Sequence, residues 1–122
     1  MTDISTQIRT ALISHPATAA HLGDRVALNA VGESVGVPYA VYRVDRQQER
    51  GLSGALLGEI VTIEVQVWSR SAQQCITIGD AVSDALSYNL GALVTRRVTG
   101  FDGESGSNLD YESIAATYPV SD

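Results

Sequence analysis

An α+β fold is predicted, a mostly antiparallel sheet of four to five strands with two main helices packed on one face. Three observations point to it. Residues 58–69, G-E-I-V-T-I-E-V-Q-V-W-S, alternate strictly in polarity. The segment that follows, from Ser71 to about Tyr88, carries apolar residues at helical spacing. Strand-like segments are grouped before and after that helix, the arrangement of helices segregated to one side of an antiparallel sheet. The chain has 122 residues and 44% hydrophobic content, which suits one domain over residues 1–122 with a single modest core.

Thr2 or Asp3 caps a first helix that runs to about Ser14, with Ile4, Ile8, Ala11 and Leu12 as its apolar stripe. Pro16 interrupts it and is placed to open a short second turn over residues 17–22, ended by Gly23-Asp24. Residues 25–30 form a weak strand candidate, residues 32–36 a loop, and Pro38 opens a strand over residues 39–45. Residues 46–57, R-Q-Q-E-R-G-L-S-G-A-L-L, show neither helix nor strand period. They read as a long mobile connection between two antiparallel strands, a kind of loop that is uncommon in compact domains and often functional.

The strand over residues 58–69 places Val61, Ile63, Val65 and Val67 on one face. Ile60, Thr62, Glu64, Gln66 and Trp68 fall on the other. At roughly 3.3 Å per residue it spans about 40 Å, twice an ordinary strand. A small core does not need that length, so the sheet is expected to reach a neighbour. In the helix that follows, Ser69 or Ser71 supplies the cap. Ala72, Cys75, Ile76, Gly79, Val82 and Leu86 form its apolar face, with Gln73, Thr77, Asp80 and Asp84 opposite. Asn89-Leu90-Gly91 ends it. Two strands close the chain, over residues 92–101 and 109–120, joined by the acidic turn D-G-E-S-G-S-N.

Net charge is −6, and all eight basic residues are arginines. A duplex-binding module shows a basic stripe, so tight nucleic-acid binding is not expected. An acidic surface still lets DNA pass without sticking, because like charges repel. No apolar run approaches the ~20 residues of a membrane span. No basic segment precedes an apolar stretch at the N-terminus, so a soluble protein made inside the cell is expected. The sole cysteine, Cys75, excludes an intramolecular disulfide and any multi-cysteine zinc site.

The search for chemistry finds no convincing set. Asp80 and Asp84 share a helix face at i,i+4 and read as a solvated face. The small repulsion between them could be offset by an arginine of a neighbouring subunit. His15 and His21 have no carboxylate cluster beside them at metal spacing. Cys75 lies on the apolar helix face and reads as a small core residue. Residues 32–36 match G-x-S-x-G by letter. A strand follows Ser34 where a nucleophile elbow needs a helix, so they read as plain loop. Trp68 is expected to pack over the strand–helix junction. Arg96 and Arg97 alternate faces, so one of them faces solvent or another subunit. No P-loop or dinucleotide fingerprint occurs. No catalytic, cofactor-binding or metal-binding residue is assigned.

With catalysis unsupported, the ordered pattern itself is informative. An amphipathic first helix is followed by H-P-A-T-A-A-H-L-G-D-R-V, then V-P-Y-A-V-Y at residues 37–42 and the long connection. V-T-I-E-V-Q-V-W-S-R at residues 61–70 then runs almost directly into A-Q-Q-C-I-T-I-G-D-A-V-S-D-A-L at residues 72–86, and two strands finish the chain. Nearly the whole chain resembles the tail-completion (tail-terminator) proteins of long-tailed, siphovirus-like bacteriophages and related phage-like particles. The resemblance implies a structural protein that forms a ring, usually a homohexamer, at the head-proximal end of the tail. There it would stop tail-tube polymerisation and join the tail to the head connector. Its implied partners are further copies of itself, the tail tube protein and the head–tail connector or stopper. DNA would pass through the lumen without specific binding. The implied location is the tail–neck junction of the virion, after assembly in the host cytoplasm.

On that footing Arg46, Arg50, Leu52, Leu56 and Leu57 are expected to dock on a tail or neck partner. Asp102, Glu104 and Asn108 are expected to form a projecting hairpin tip. Thr62, Glu64 and Gln66, with Asp80 and Asp84, are expected at a subunit contact or at the lumen. Two alternatives stay open. One is another neck or tail protein, such as a connector or tube subunit. The other is a small α+β enzyme of the dimeric-barrel kind.

Overall fold

A computed structural model describes residues 4–28, 36–50, 56–103 and 108–120. The N-terminal helix α1, Ile4–Ser14, buries Ile4, Ile8, Ala11 and Leu12, the stripe its spacing predicts. Helix α2, Pro16–Leu22, starts on Pro16, whose missing N–H costs nothing at a helix N-terminus. Three strands follow, β1 (Val26–Leu28), β2 (Tyr39–Arg50) and β3 (Leu56–Ser69). Helix α3, Ala72–Asp84, is capped by Ser71, whose side chain accepts from the Gln74 amide. It runs on as a π-helical segment, Ala85–Leu90, and stops at Gly91 in the left-handed region at φ 77°. Strands β4 (Leu93–Asp102) and β5 (Leu109–Val120) complete the fold.

The five strands form one sheet in the order β1-β2-β3-β5-β4. Only β1 and β2 run parallel; the other pairs are antiparallel. The sheet therefore matches the predicted class, with the long strand β3 at its centre. Val61, Ile63, Val65 and Val67 are at most 1% exposed and pack beneath the helices. Ala40 and Tyr42 of β2 and Ile114 and Ala116 of β5 join them on the same face. Ile8, Leu12, Leu22, Ile78, Val82 and Leu86 close the core from the helical side. The Asn89 side-chain amide donates to the Ala11 carbonyl at 3.2 Å, tying the end of the π-helical segment to α1.

Three expectations change. Residues 46–57 are not one long loop: β2 continues to Arg50 and β3 begins at Leu56, which leaves residues 51–55 outside the described chain. Arg46, Gln47 and Gln48 pair one for one with Val61, Ile60 and Glu59. All three are exposed, so this end of β2 carries no apolar alternation to mark it and is held by the backbone ladder. The buried face of α3 is also rotated. Ile78, Ala81 and Ala85 point inward, while Ala72 and Ile76 are exposed. Trp68 lies on the uncovered face of the sheet, against Tyr111 with ring centroids 5.0 Å apart, and not over the strand–helix junction.

Candidate partner surfaces

Strands β2 and β3 pair from Tyr39–Trp68 to Arg50–Leu56, with one register irregularity between Glu49 and Arg50. At about 3.3 Å per residue, the 14 residues of β3 extend about 46 Å. β5 accompanies β3 only as far as the Glu59–Val120 pair. The β2–β3 arm thus runs past the end of β5 to the Arg50–Leu56 pair. Arg46 stands on this arm and is exposed. Arg50, Leu56 and Leu57 are placed in its strands by backbone. Leu52 lies outside the described residues.

The other end of the sheet carries the β4–β5 hairpin. Asp102 pairs with Leu109 at its base, and Asn108 is exposed with φ 52°, a left-handed conformation that asparagine tolerates. Glu104 lies outside the described residues. Ser69 is level with Asp110, whereas Glu59 is level with Val120. The arm and the hairpin therefore sit at opposite ends of one sheet, a separation the sequence alone did not reveal.

Between them lies the face that no helix covers. Its registers form rows: Asp45, Thr62, Thr117 and Leu93; Arg43, Glu64, Ala115 and Arg96; Val41, Gln66, Ser113 and Val98; Tyr39, Trp68, Tyr111 and Gly100. Both charge signs occur side by side across the second row. In the last row, a Cβ on residue 100 would lie 2.6 Å from the Tyr111 ring. Gly100 therefore lets that ring lie flat over the strand, beside Trp68. Arg43, Gln66, Trp68, Tyr111 and Phe101 line a shallow groove at this end.

Thr62, Glu64 and Gln66 lie on this open face, as the alternation predicts. Asp80 and Asp84 do not join them, because α3 packs on the other side of the sheet. The five residues expected at one contact or lumen therefore divide between two surfaces. The arginine beside Asp80 also comes from its own chain. Arg97 Nη1 donates to Asp80 Oδ1 at 2.6 Å, its Nη2 donates to the Ile76 carbonyl at 3.2 Å, and its Nε donates to Glu112 Oε1. Asp84 stands exposed on the same helix.

This cluster was missed in the sequence. Glu112 is 1% exposed, and its Oε2 has no hydrogen-bond partner within the described structure. Its phase with Ile114 and Ala116 was the available signal, since period 2 turns all three inward. Gly79 makes room above it. A Cβ there would clash with the Glu112 carboxylate and come 2.9 Å from Arg97 Nη2. The hydrogen bond to Glu112, with help from Asp80, raises the Arg97 pKa further. Cys75 is fully buried, and its thiol donates to the Asp110 carbonyl at 3.3 Å. Burial, with the Asp110 and Glu112 carboxylates nearby, pushes that thiol up to about 11. Among the described residues no group of three His, Cys, Asp or Glu side chains could hold a metal ion, and no helix is long and apolar enough to cross a membrane.

A family model described as "Tail completion protein gp17" matches residues 6–111. Among solved structures, a chain of the "Virion of native gene transfer agent (GTA) particle" superposes with a TM-score of 0.76 at 16% identity, over 94% of this chain and 92% of that chain. At that identity the likeness establishes a shared fold. No curated protein matches the chain.

Proposed function

The chain belongs to the tail completion protein gp17 family, and from that premise we propose that it forms a hexameric ring at the head-proximal end of the tail of a phage or phage-like particle. The ring terminates tail-tube polymerisation and joins the tail to the head connector. Its partners are further copies of itself, the tail tube protein and the connector or stopper. The site is the tail–neck junction, reached after assembly in the host cytoplasm.

One observation supports this reading above the others. A single sheet carries the β2–β3 arm at one end and the β4–β5 hairpin at the other. A part that joins two assemblies needs contact elements on two sides, and rigid strands hold them at a fixed separation. The formal charge of −6 is compatible with DNA passing through without being held. The enzyme alternative requires a pocket with converging polar groups, whereas the family match favours a structural role.

Negative-stain microscopy of the purified protein, alone and mixed with tail tubes, tests the proposal. Rings that cap one end of each tube are expected. Tubes that lengthen unchanged in its presence would refute termination. Decoration along the tube would favour the second reading, another tail or neck subunit.

A further inference from the structure

Among the described residues, six large hydrophobic side chains stand exposed, and four of them gather at one border of the molecule. Leu93, Val98 and Phe101 lie on β4; Ile76 lies on α3, where its carbonyl accepts from Arg97 of β4. β4 is the last strand of the sheet, with no strand beyond it among the described residues. Natural proteins usually blunt such an edge with a short strand, a bulge or a covering group. The opposite border shows two of these devices. β1 is 3 residues long, and Arg9 Nε donates to its Val26 carbonyl at 3.3 Å. β4 has one irregularity, between Val94 and Arg96, and from Arg96 to Asp102 its register with β5 is unbroken.

That unbroken stretch reads R-R-V-T-G-F-D and is complementary to itself. In an antiparallel pair centred on Thr99, Arg96 lies opposite Asp102 of the second copy, and the reverse pair repeats the contact. Arg97 lies opposite Phe101, Val98 opposite Gly100, and Thr99 opposite itself. Facing residues then share a face on both copies, as a continuous sheet requires. Moving the centre to Val98 or Gly100 also keeps the faces matched but separates Arg96 from Asp102. Opposite charges directly across a ladder stabilise it, and like charges oppose it. Arg97 is already held by Glu112 and Asp80, so its charge is compensated where it meets the Phe101 ring.

We propose that the β4 edge is a docking surface for the same edge of a second copy, giving a two-fold dimer with one sheet continuous across both chains. A two-fold contact closes after two copies, whereas a ring needs head-to-tail contacts. The dimer is therefore a form of the free protein, distinct from the ring and independent of that reading.

The test uses the full chain. In Thr99→Cys the two thiols meet on the axis, at the roughly 4.5–5.5 Å Cα spacing of facing antiparallel residues, which a disulfide spans. Rapid oxidative linking of T99C is expected, with none for Gln73→Cys on the exposed side of α3. By light scattering, R96D and D102R should each weaken the dimer about 10-fold or more through like-charge pairs, and R96D/D102R in one chain should restore it. Circular dichroism confirms that each variant is folded. Three outcomes would overturn the proposal: a monomer at every concentration, T99C linking no faster than Q73C, or a double variant no better than the singles.

Discussion

At the scale of single residues, the informative group is one the alternating pattern hid. Glu112 occupies an inward position of β5, in phase with Ile114 and Ala116, and is compensated by Arg97 alone of the described cations. Removing one partner of a buried pair leaves the other desolvated without compensation. Arg97→Ala should therefore destabilise the fold by about 3 kcal/mol, the low end of the cost of breaking a buried pair, because water reaches Arg97, whose side chain is 32% exposed. Asp80→Ala should cost no more than about 0.5 kcal/mol, since the Asp80 side chain is 65% exposed. Urea unfolding of both variants checks the contrast, and equal losses would refute it. Cys75 gives a pH-dependent outcome. Its folded pKa of about 11 lies above the ordinary thiol value of 9.0, so the fold favours the neutral thiol. That contribution is fully present below about pH 9 and is lost as pH rises through 11. Stability of wild type relative to Cys75→Ser should fall across that window, and iodoacetamide should label the native thiol slowly at pH 8. Fast labelling at pH 8 would contradict the burial.

At the scale of elements, strands and helices were legible where one face is dry. Val61, Ile63, Val65 and Val67 declared β3, and Ile4, Ile8, Ala11 and Leu12 declared α1, because burial on one side forces a period on the sequence. The extension of β2 from Arg46 to Arg50 was not legible. Its pairing comes from backbone hydrogen bonds, which leave no trace in side-chain type where the strand's own residues, such as Arg46, Gln47 and Gln48, are exposed. The rotation of α3 was equally hidden, since Ile76 and Ile78 are alike as letters and only packing against the sheet selects Ile78. The strand assignment sharpens the expected role of the arm. Deleting residues 51–56 removes only the first residue of β3 from the described strands, so the core strands keep their register. The variant should give an unchanged circular dichroism spectrum and thermal transition yet fail to join heads to tails in a complementation assay. Normal joining would show that the arm is not the docking element.

At the scale of the whole molecule, charge and topology act together. With a formal charge of −6, the protein should leave duplex DNA mobility unchanged in a gel-shift assay at physiological salt. A salt-sensitive shift would mean that Arg43 and Arg96 on the open face hold DNA, and the lumen would then need another lining. By itself the sequence determined the fold class, the central strand, its dry face, the capped helix after it and, through their order, the family the chain belongs to. Those properties depend on local period and on residues near one another in the chain. Only the tertiary structure decided that Asp80 and Asp84 lie across the sheet from Thr62, Glu64 and Gln66, that Arg97 serves its own Asp80 and Glu112, and that the arm and the hairpin stand at opposite ends. Each depends on strand order and register. The order β1-β2-β3-β5-β4 places β5 beside β3 across an intervening helix and strand, a juxtaposition that no local pattern encodes.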